Sequence, residues 1–222
     1  MQKSPSPRPR DAATLVLHRR ARGKLQVLMG CRHGKHVFMP NRYVFPGGAV
    51  DAGDRFVKPA GELRTPVWED LAKSCSRSRA RALAAAAIRE TWEETGLRLA
   101  RPAPPPPGRI QPDWLGFHEG GLAPALDSLD YVCRAVTPPG RPRRFNARFF
   151  LAPADATTGT LGGNGELDDL RWFTIGDALA LDVPDITAYV LHNLDGWLSS
   201  PDRRGRIPVL KRIGHEFALT YE

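Results

Sequence analysis

The sequence predicts an α/β protein, built as an α/β/α sandwich over a mixed β-sheet. Strand-like and helix-like segments follow one another without the strict alternation that an all-parallel sheet requires. The chain has 222 residues, 41% of them hydrophobic and 25% charged, which is typical of a globular domain with its own core. We therefore expect one domain over residues 11–222, preceded by a disordered, basic, proline-rich tail at 1–10.

Local signals predict the elements of the first half of the chain. Residues 14–17 and 25–29 are rich in apolar and β-branched side chains and flank a glycine turn, so we expect a β-hairpin. Residues 43–48 indicate a short strand that runs into a glycine loop. A Thr-Pro pair opens a predicted helix at 65–75, since Thr can cap a helix and Pro suits its first turn. A second helix is expected at 78–95, ended by the glycine that follows it.

The second half begins with a proline-rich stretch, 102–108, which predicts an extended surface spacer. Beyond it, apolar runs and amphipathic patterns return. The predicted elements are strands at 131–136, 147–151 and 170–174, and helices at 175–181 and 185–198.

Composition excludes several classes of protein. The net charge of +8 suits a phosphate-bearing substrate, a nucleic acid or an anionic membrane. The arginines are scattered and form no stripe, so we do not expect a nucleic-acid partner. No apolar run reaches the ~18–20 residues of a membrane helix. Cys31, Cys75 and Cys133 form no CxxC pair, which argues against disulfides and zinc and favours a cytoplasmic location.

One stretch of the second predicted helix carries an unusual acidic cluster. Glu90, Glu93 and Glu94 have the i, i+3, i+4 spacing that places side chains on one helix face. Like charges repel at this spacing, and the negative end of the helix dipole adds to the repulsion. A divalent cation would compensate, and carboxylate oxygens select hard ions such as Mg²⁺ or Mn²⁺. The alternative is a solvated acidic helix end.

Together with Phe45-Pro46-Gly47-Gly48, this stretch resembles the Nudix box. That pattern is Gly, five residues, Glu, seven residues, then Arg-Glu-aliphatic-x-Glu-Glu-x-Gly-aliphatic. Gly48 fills its first position, and its end is filled by Arg89-Glu90-x-x-Glu93-Glu94-x-Gly96-Leu97. The stretch from Glu166 to Phe173 is also similar to a later element of the family.

The chain departs from this pattern at three points. Asp54 stands in place of the mid-box Glu and is one methylene shorter. Thr91 occupies an aliphatic position. The 34 residues 55–88 separate Asp54 from Arg89 where the pattern has seven, an excess of 27. Loop-closure entropy grows slowly with length, so an insertion at 55–77 is tolerable, with its helix as a lid or a flank.

An insertion inside the box resembles the coenzyme A diphosphatase branch of the Nudix hydrolases, as does Phe38-Met39-Pro40 upstream. The resemblance implies a set of functional residues. Mg²⁺, or Mn²⁺ as a substitute, would be held by the Gly47 carbonyl, Glu90, Glu93 and Glu94. Arg89 would orient the glutamates, Glu90 or Glu166 would act as general base, and Arg32 or Arg42 would contact substrate phosphate.

The resemblance therefore implies a Mg²⁺-dependent hydrolase that cleaves the diphosphate linkage of a nucleoside diphosphate linked to another moiety. Coenzyme A or acyl-coenzyme A is the first substrate candidate, and ADP-ribose, NADH and dinucleoside polyphosphates are alternatives. A non-catalytic Nudix-fold module that binds nucleotide or RNA is a further alternative, although all three box glutamates are retained. A homodimer is common in the family. Trp114 and Phe117 either edge a base-stacking pocket or pack inside the protein.

Overall fold

The computed structural model describes residues 6–34, 39–106, 108–200, 206–213 and 216–222. The strands of these residues are β1 Arg10–Ala21, β2 Lys24–Arg32, β3 Tyr43–Val44, β4 Gly47–Ala49, β5 Arg98–Pro102, β6 Leu122–Pro124, β7 Asp130–Val136, β8 Phe145–Pro153, β9 Thr157–Thr158, β10 Leu167–Thr174, β11 Pro208–Ile213 and β12 Glu216–Tyr221. The α-helices are α1 Thr65–Ala72, α2 Arg77–Thr95, α3 Ile175–Leu179 and α4 Asp185–Ser199. Short 3-10 turns include Asp54–Phe56, Pro112–Trp114 and Gly116–His118.

Most of the strands form one mixed β-sheet. Its order is β10-β2-β1-β8-β7-β11-β12, with β3 beside β2 and β4 beside β1. The pairs β1–β8 and β7–β11 are parallel, whereas β1 runs antiparallel to its neighbours β2 and β4. A separate three-stranded sheet joins β6, β5 and β9.

Apolar side chains cover both faces of the large sheet. Leu15 of β1 belongs to a buried cluster that contains Leu83 of α2. The next residue, Val16, belongs to a second cluster that contains Val190 of α4. Because successive residues of a strand point to opposite faces, α2 covers one face and α4 the other. The α/β/α sandwich predicted from the sequence is confirmed.

Helix α2 lies close to the sheet because its buried side chains are small. Residues 82–87 are all buried, and all but one of them are alanine. The helix starts where the Ser76 side chain accepts the Arg79 backbone N–H, and it ends at Gly96, whose φ is +74°. A Cβ at Gly96 would lie 2.6 Å from the Thr160 carbonyl oxygen. Both the left-handed conformation and the close contact require glycine at this position.

The glycine loop predicted at Gly47-Gly48 is held in the structure as a short strand, β4, against the sheet. It pairs antiparallel with β1, with Gly47 opposite Thr14 and Gly48 opposite Ala13. The carbonyl of the preceding residue, Pro46, accepts the backbone N–H of Leu15 at 3.0 Å. Since α2 packs against β4, this pairing places the Gly-Gly backbone directly beside the acidic end of α2.

Segment 55–77 packs onto the body of the protein. Val67 and Leu71 of α1 are buried, and α1 contacts both α2 and β7. Upstream of the helix, the Gly61 carbonyl accepts the backbone N–H of Leu126 at 3.0 Å. Of the two positions expected from the sequence, lid or flank, α1 occupies the flank.

The boundaries of some predicted elements differ from those observed. Helix α1 ends at Ala72 rather than near Cys75, and Arg64 instead of Thr65 takes the N-cap position. Strands β5, β6, β9, β11 and β12 were not predicted; of these, β5, β6 and β9 have only two to five residues. Of the predicted tail 1–10, residues 1–5 lie outside the described residues, residues 6–9 have no regular secondary structure, and Arg10 begins β1.

Within the described part of the chain, no helix is both long enough and apolar enough to cross a membrane.

The burial of α1 generates a prediction about stability. Leu71 is fully buried, so Leu71→Ala should lower the free energy of unfolding by about 2–5 kcal/mol through lost burial and the cavity that remains. Urea denaturation followed by circular dichroism measures this change. The matched control on the same helix is Glu69→Ala, an exposed position where we expect a change within about 0.5 kcal/mol. Equal, small effects for both variants would show that α1 does not contribute to the core.

Candidate active site

A buried guanidinium group lies at the centre of the site. Arg89 is 3% exposed. Its Nε and Nη2 donate to Asp54 Oδ1 and Oδ2 at 2.9 and 3.1 Å, and Nη2 also donates to the Ala49 carbonyl at 3.1 Å. Its Nη1 donates to Glu93 Oε2 at 2.9 Å and lies 3.0 Å from Glu90 Oε1. One side chain therefore connects β4, the turn at Asp54 and α2.

Burial alone would lower the pKa of Arg89, but the hydrogen bond and the charge of Asp54 outweigh burial and raise it. The guanidinium group is therefore charged at every pH at which the protein is folded. Its position is fixed by the two parallel bonds to one carboxylate, a geometry that matches the planar fork of arginine.

Asp54, although one methylene shorter than the glutamate of the box pattern, uses both of its carboxylate oxygens. It is 1% exposed. Besides Arg89 Nε, its Oδ1 accepts the indole N–H of Trp114 at 3.2 Å. Besides Arg89 Nη2, its Oδ2 accepts the backbone N–H of Asp51 at 2.8 Å. Each oxygen thus has two donors. The shorter side chain reaches Arg89 because the turn that carries it packs against α2.

Glu94 is a buried carboxyl group next to the glycine loop. It is 4% exposed, and its Oε2 accepts the backbone N–H of Gly47 at 2.9 Å. Burial raises its pKa to about 8; the Gly47 bond and the charge of Arg32 oppose this rise, and the charges of Glu90 and Glu166 add to it. Ionised Glu94 is therefore destabilised in the folded protein, and a cation beside it would remove the penalty.

Glu90 lies against the second glycine of the loop. Burial raises its pKa to about 7; the charge of Arg89 lowers it and that of Glu93 raises it. A Cβ built on Gly48 would lie 2.6 Å from Glu90 Oε1 and would overlap its carboxyl group. Glycine is therefore required at position 48 for the carboxyl group of Glu90 to approach the strand this closely.

The divalent cation predicted from the sequence requires several oxygen ligands that point to one place. Among the described residues, no three His, Cys, Asp or Glu side chains converge on a ready-made metal site, and Glu93 is bonded to Arg89. Glu94, in contrast, is buried and Glu90 is partly buried, and their carboxyl groups repel one another beside the Gly47-Gly48 backbone. Carboxylate oxygens next to peptide carbonyls are the ligands that Mg²⁺ and Mn²⁺ prefer. The residues present fit such an ion.

Of the two arginines predicted to contact substrate, only Arg32 acts on this cluster, through its charge on Glu94. Arg42 instead binds residues outside this cluster. Its Nη2 donates to the Val183 carbonyl at 2.5 Å and lies 2.7 Å from Asp182 Oδ1. These partners belong to the loop between α3 and α4, so Arg42 ties that loop to β3.

Glu166, the second candidate for general base, lies in the glycine-rich loop before β10. Its side chain is exposed, and its backbone N–H is held by the side chain of Asn164 at 2.9 Å. Its charge contributes to the raised pKa of Glu94. The structure therefore places Glu166 on the solvent side of Glu94, near enough for its charge to act on that carboxyl group.

Trp114 and Phe117 lie inside the protein and form no base-stacking pocket. Trp114 is 1% exposed and Phe117 is fully buried. Their rings meet edge-to-face at 5.1 Å, and Phe117 makes a similar contact with Trp92 of α2 at 5.5 Å. The bond from Trp114 to Asp54 is the part of the site that sequence reasoning missed. The two residues are 60 positions apart, and no local pattern indicates that they meet.

The raised pKa values of Glu90 and Glu94 lead to a prediction of how the stability of the protein depends on pH. The pKa values of Glu90 and Glu94 rise from 4.5 to about 7 and about 8 on folding, so the folded state binds more protons than the unfolded state at neutral pH. In EDTA, stability should be full below about pH 4.5, as far as these two groups are concerned, and should fall as pH rises through about 7–8. Thermal unfolding across this range measures the slope, and Glu94→Gln should flatten it. An unchanged slope in that variant would contradict the assignment.

Solved structures of other proteins resemble this chain. A NUDIX hydrolase from Alicyclobacillus acidocaldarius matches with 30% sequence identity and a TM-score of 0.64, over 84% of this chain and 91% of that chain. The NUDIX domain of Shewanella oneidensis NrtR, complexed with ADP ribose, matches at 14% identity and a TM-score of 0.51, over 86% and 90%. A MutT protein from Bacillus halodurans matches at 11% identity and a TM-score of 0.50, over 95% and 97%.

The second and third of these matches are too distant in sequence to show more than the fold. No protein-family model matches the sequence, and no curated protein does. The first match combines 30% identity with nearly complete coverage of both chains, and it agrees with the box residues that meet around Arg89. The chain belongs to the Nudix hydrolase family and is an enzyme that hydrolyses acid anhydrides.

Proposed function

We propose that this enzyme is a Mg²⁺-dependent hydrolase of the diphosphate linkage in a nucleoside diphosphate linked to another moiety. One observation carries the proposal: the buried carboxyl group of Glu94 and the partly buried one of Glu90 lie beside the Gly47-Gly48 backbone, where Arg89 contacts Glu90. A diphosphate is a hard, multiply charged ligand, and a cation held by carboxylates is the usual means of binding one. The net charge of +8 also favours an anionic substrate.

In this proposal the ion is held by the Gly47 carbonyl and the carboxylates of Glu90, Glu93 and Glu94, and Mn²⁺ can substitute for Mg²⁺. When bound, such an ion neutralises charge on phosphoryl oxygens and lowers the pKa of a water molecule. Arg89 keeps the glutamates oriented through its bond to Glu93 and its contact with Glu90. Gly48 leaves the space in which the Glu90 carboxyl group lies.

The protein supplies two candidates for the general base that removes a proton from the attacking water. Glu90 is already beside the glycine loop. Glu166 is exposed in a glycine-rich loop, so it can approach a bound substrate from the solvent side. Glu166→Gln distinguishes them, because it should abolish turnover only if Glu166 is the base.

Coenzyme A or acyl-coenzyme A is the substrate we propose first. Two features of the sequence support this choice: segment 55–77 would be an insertion inside the box, and the motif Phe38-Met39-Pro40 lies upstream of it. Phe38 lies outside the described residues. The charge of Arg32 beside Glu94 suits a phosphate of the substrate, whereas the partners of Arg42 favour a structural role. ADP-ribose, NADH and dinucleoside polyphosphates are the alternative substrates.

The test is a product assay with the purified protein on these five classes of compound, with Mg²⁺, with Mn²⁺ and with EDTA. Phosphorus NMR identifies the fragments. Cleavage of coenzyme A to 3′,5′-ADP and phosphopantetheine would support the whole proposal, and cleavage of another compound would support the chemistry but not the branch. Salt-sensitive binding of RNA or nucleotide without any turnover would support the binding-module alternative.

The metal assignment predicts the effect of removing one carboxylate charge. Glu94→Gln keeps an acceptor for the Gly47 N–H but removes a metal ligand, so turnover should fall about 10²–10³-fold while the fold persists. Steady-state kinetics at saturating Mg²⁺ measure this, with circular dichroism as the check on folding. Glu69→Gln, on the exposed face of α1, is the isosteric control and should be fully active. Near-normal turnover of Glu94→Gln would overturn the ligand set.

We also propose that residues 11–222 form a single catalytic domain, that the protein acts as a homodimer, and that it is cytoplasmic. The domain proposal is supported by the shared core of α1, α2 and β1. Light scattering coupled to size-exclusion chromatography tests the oligomeric state directly.

A further inference from the structure

We propose that Trp114 is a positioning residue for the active site. Its indole N–H fixes the Asp54 carboxylate, Asp54 fixes Arg89, and Arg89 orients the box glutamates. The turn Pro112–Trp114, which lies outside the box, would thereby set the geometry of the site. This inference rests on the proposed function, because it assigns Trp114 a role in that same reaction.

The first observation is the full set of donors around Asp54. Its oxygens accept four hydrogen bonds, two from Arg89, one from the Asp51 backbone and one from Trp114. At 1% exposure, the carboxylate is out of contact with bulk water, so it depends on these donors. Trp114 is the one donor among these that comes from outside the box.

The second observation is that Trp114 cannot move away from Asp54. Its ring is 1% exposed and packs edge-to-face on Phe117, which in turn packs on Trp92. Trp92 is the residue directly before Glu93 on α2. The adjoining turn is also held by Arg98, whose Nη2 donates to the Gly116 carbonyl at 2.9 Å. The indole N–H is therefore presented to Asp54 by a rigid support.

The third observation is the length of the acidic side chain. Asp54 is one methylene shorter than the glutamate of the family pattern, so its carboxylate lies closer to its own backbone. The indole N–H of Trp114 and Arg89 Nε both donate to Oδ1, so the two bonds together fix where that oxygen lies. If the carboxylate tilts, Arg89 Nη1 shifts with respect to Glu90 and Glu93.

The decisive variant is Trp114→Phe, which keeps an aromatic ring and removes the indole N–H. Groups that hold the residues around a metal ion typically contribute 10–100-fold to affinity or activity, so we expect kcat to fall about tenfold or more. The Michaelis constant should change little, because Trp114 does not face the substrate. The affinity for Mg²⁺, measured by calorimetry in the absence of substrate, should weaken by a similar factor.

Two control variants separate positioning from loss of stability. Trp68→Phe removes a partly buried indole that packs against the same hydrophobic cluster. The bonds to Asp54 come from other residues, so kcat and Mg²⁺ affinity should stay at wild-type values. Leu71→Ala destabilises the same cluster without touching the Asp54 bonds, and it should also retain kcat. If Leu71→Ala loses as much kcat as Trp114→Phe at equal stability, the role of Trp114 is merely structural and the inference is wrong.

A spectroscopic measurement tests the bond itself without any substrate. The chain has five tryptophans, and the indole N–H resonance of Trp114 is the one absent from Trp114→Phe. In Asp54→Asn that resonance should move upfield, since a charged acceptor is replaced by a neutral one; Asp54→Glu serves if the Asn variant does not fold. If the chemical shift of the Trp114 indole N–H is the same in Asp54→Asn and Asp54→Glu as in the wild-type protein, the inference is wrong.

The outcomes distinguish this inference from the proposed function. If the wild-type protein cleaves none of the diphosphate compounds, the proposed function fails, and the calorimetric and NMR results still decide the role of Trp114. If the wild-type protein is active and Trp114→Phe matches it in kcat and in Mg²⁺ affinity, the inference fails and the proposed function stands.

Discussion

The buried ion pair between Arg89 and Asp54 is the interaction on which the rest of the site depends. Removing two charges from water costs several kcal/mol for each ion, and the pair is tolerable only when their hydrogen-bonding capacity is used. Here both Asp54 oxygens accept two bonds, and Arg89 uses all three of its nitrogens. The pair is correspondingly rigid. It holds the turn at Asp54, strand β4 and helix α2 in one arrangement, and the positions of Glu90 and Glu93 follow from it.

The same pair joins two segments that resemble the halves of the Nudix box and are separated by the 34 residues 55–88. Lengthening a flexible connection from seven residues to 34 costs only about 1.4 kcal/mol of closure entropy. Burial of one large apolar side chain contributes about 1.5–3 kcal/mol, and segment 55–77 buries both Val67 and Leu71. Packing of α1 on α2 and β7 therefore offsets the cost of the longer connection, and the turn at Asp54 and helix α2 keep the positions that the ion pair requires.

The parts of the structure that could be predicted from sequence are those determined by neighbours in the chain. The i, i+3, i+4 spacing of the glutamates and the glycine that ends α2 are local features, and each is found where the pattern places it; the Gly-Gly pair, predicted as a turn, lies instead in strand β4. Long-range contacts were not predictable. The bond from Trp114 to Asp54 and the tie between Arg42 and the α3–α4 loop join distant segments, and so does the pairing of β11 with β7.

We propose that Arg89 and Asp54 hold in place the ligands of a divalent cation, which are the Gly47 carbonyl and the carboxylates of Glu90, Glu93 and Glu94. A crystal structure of the protein grown with Mn²⁺, with anomalous diffraction used to locate the ion, shows whether it binds there. We expect an anomalous peak bounded by the carboxylates of Glu90 and Glu94 and the carbonyl of Gly47. An ion bound elsewhere on the protein, or a fully ordered site with no peak at saturating Mn²⁺, would contradict it.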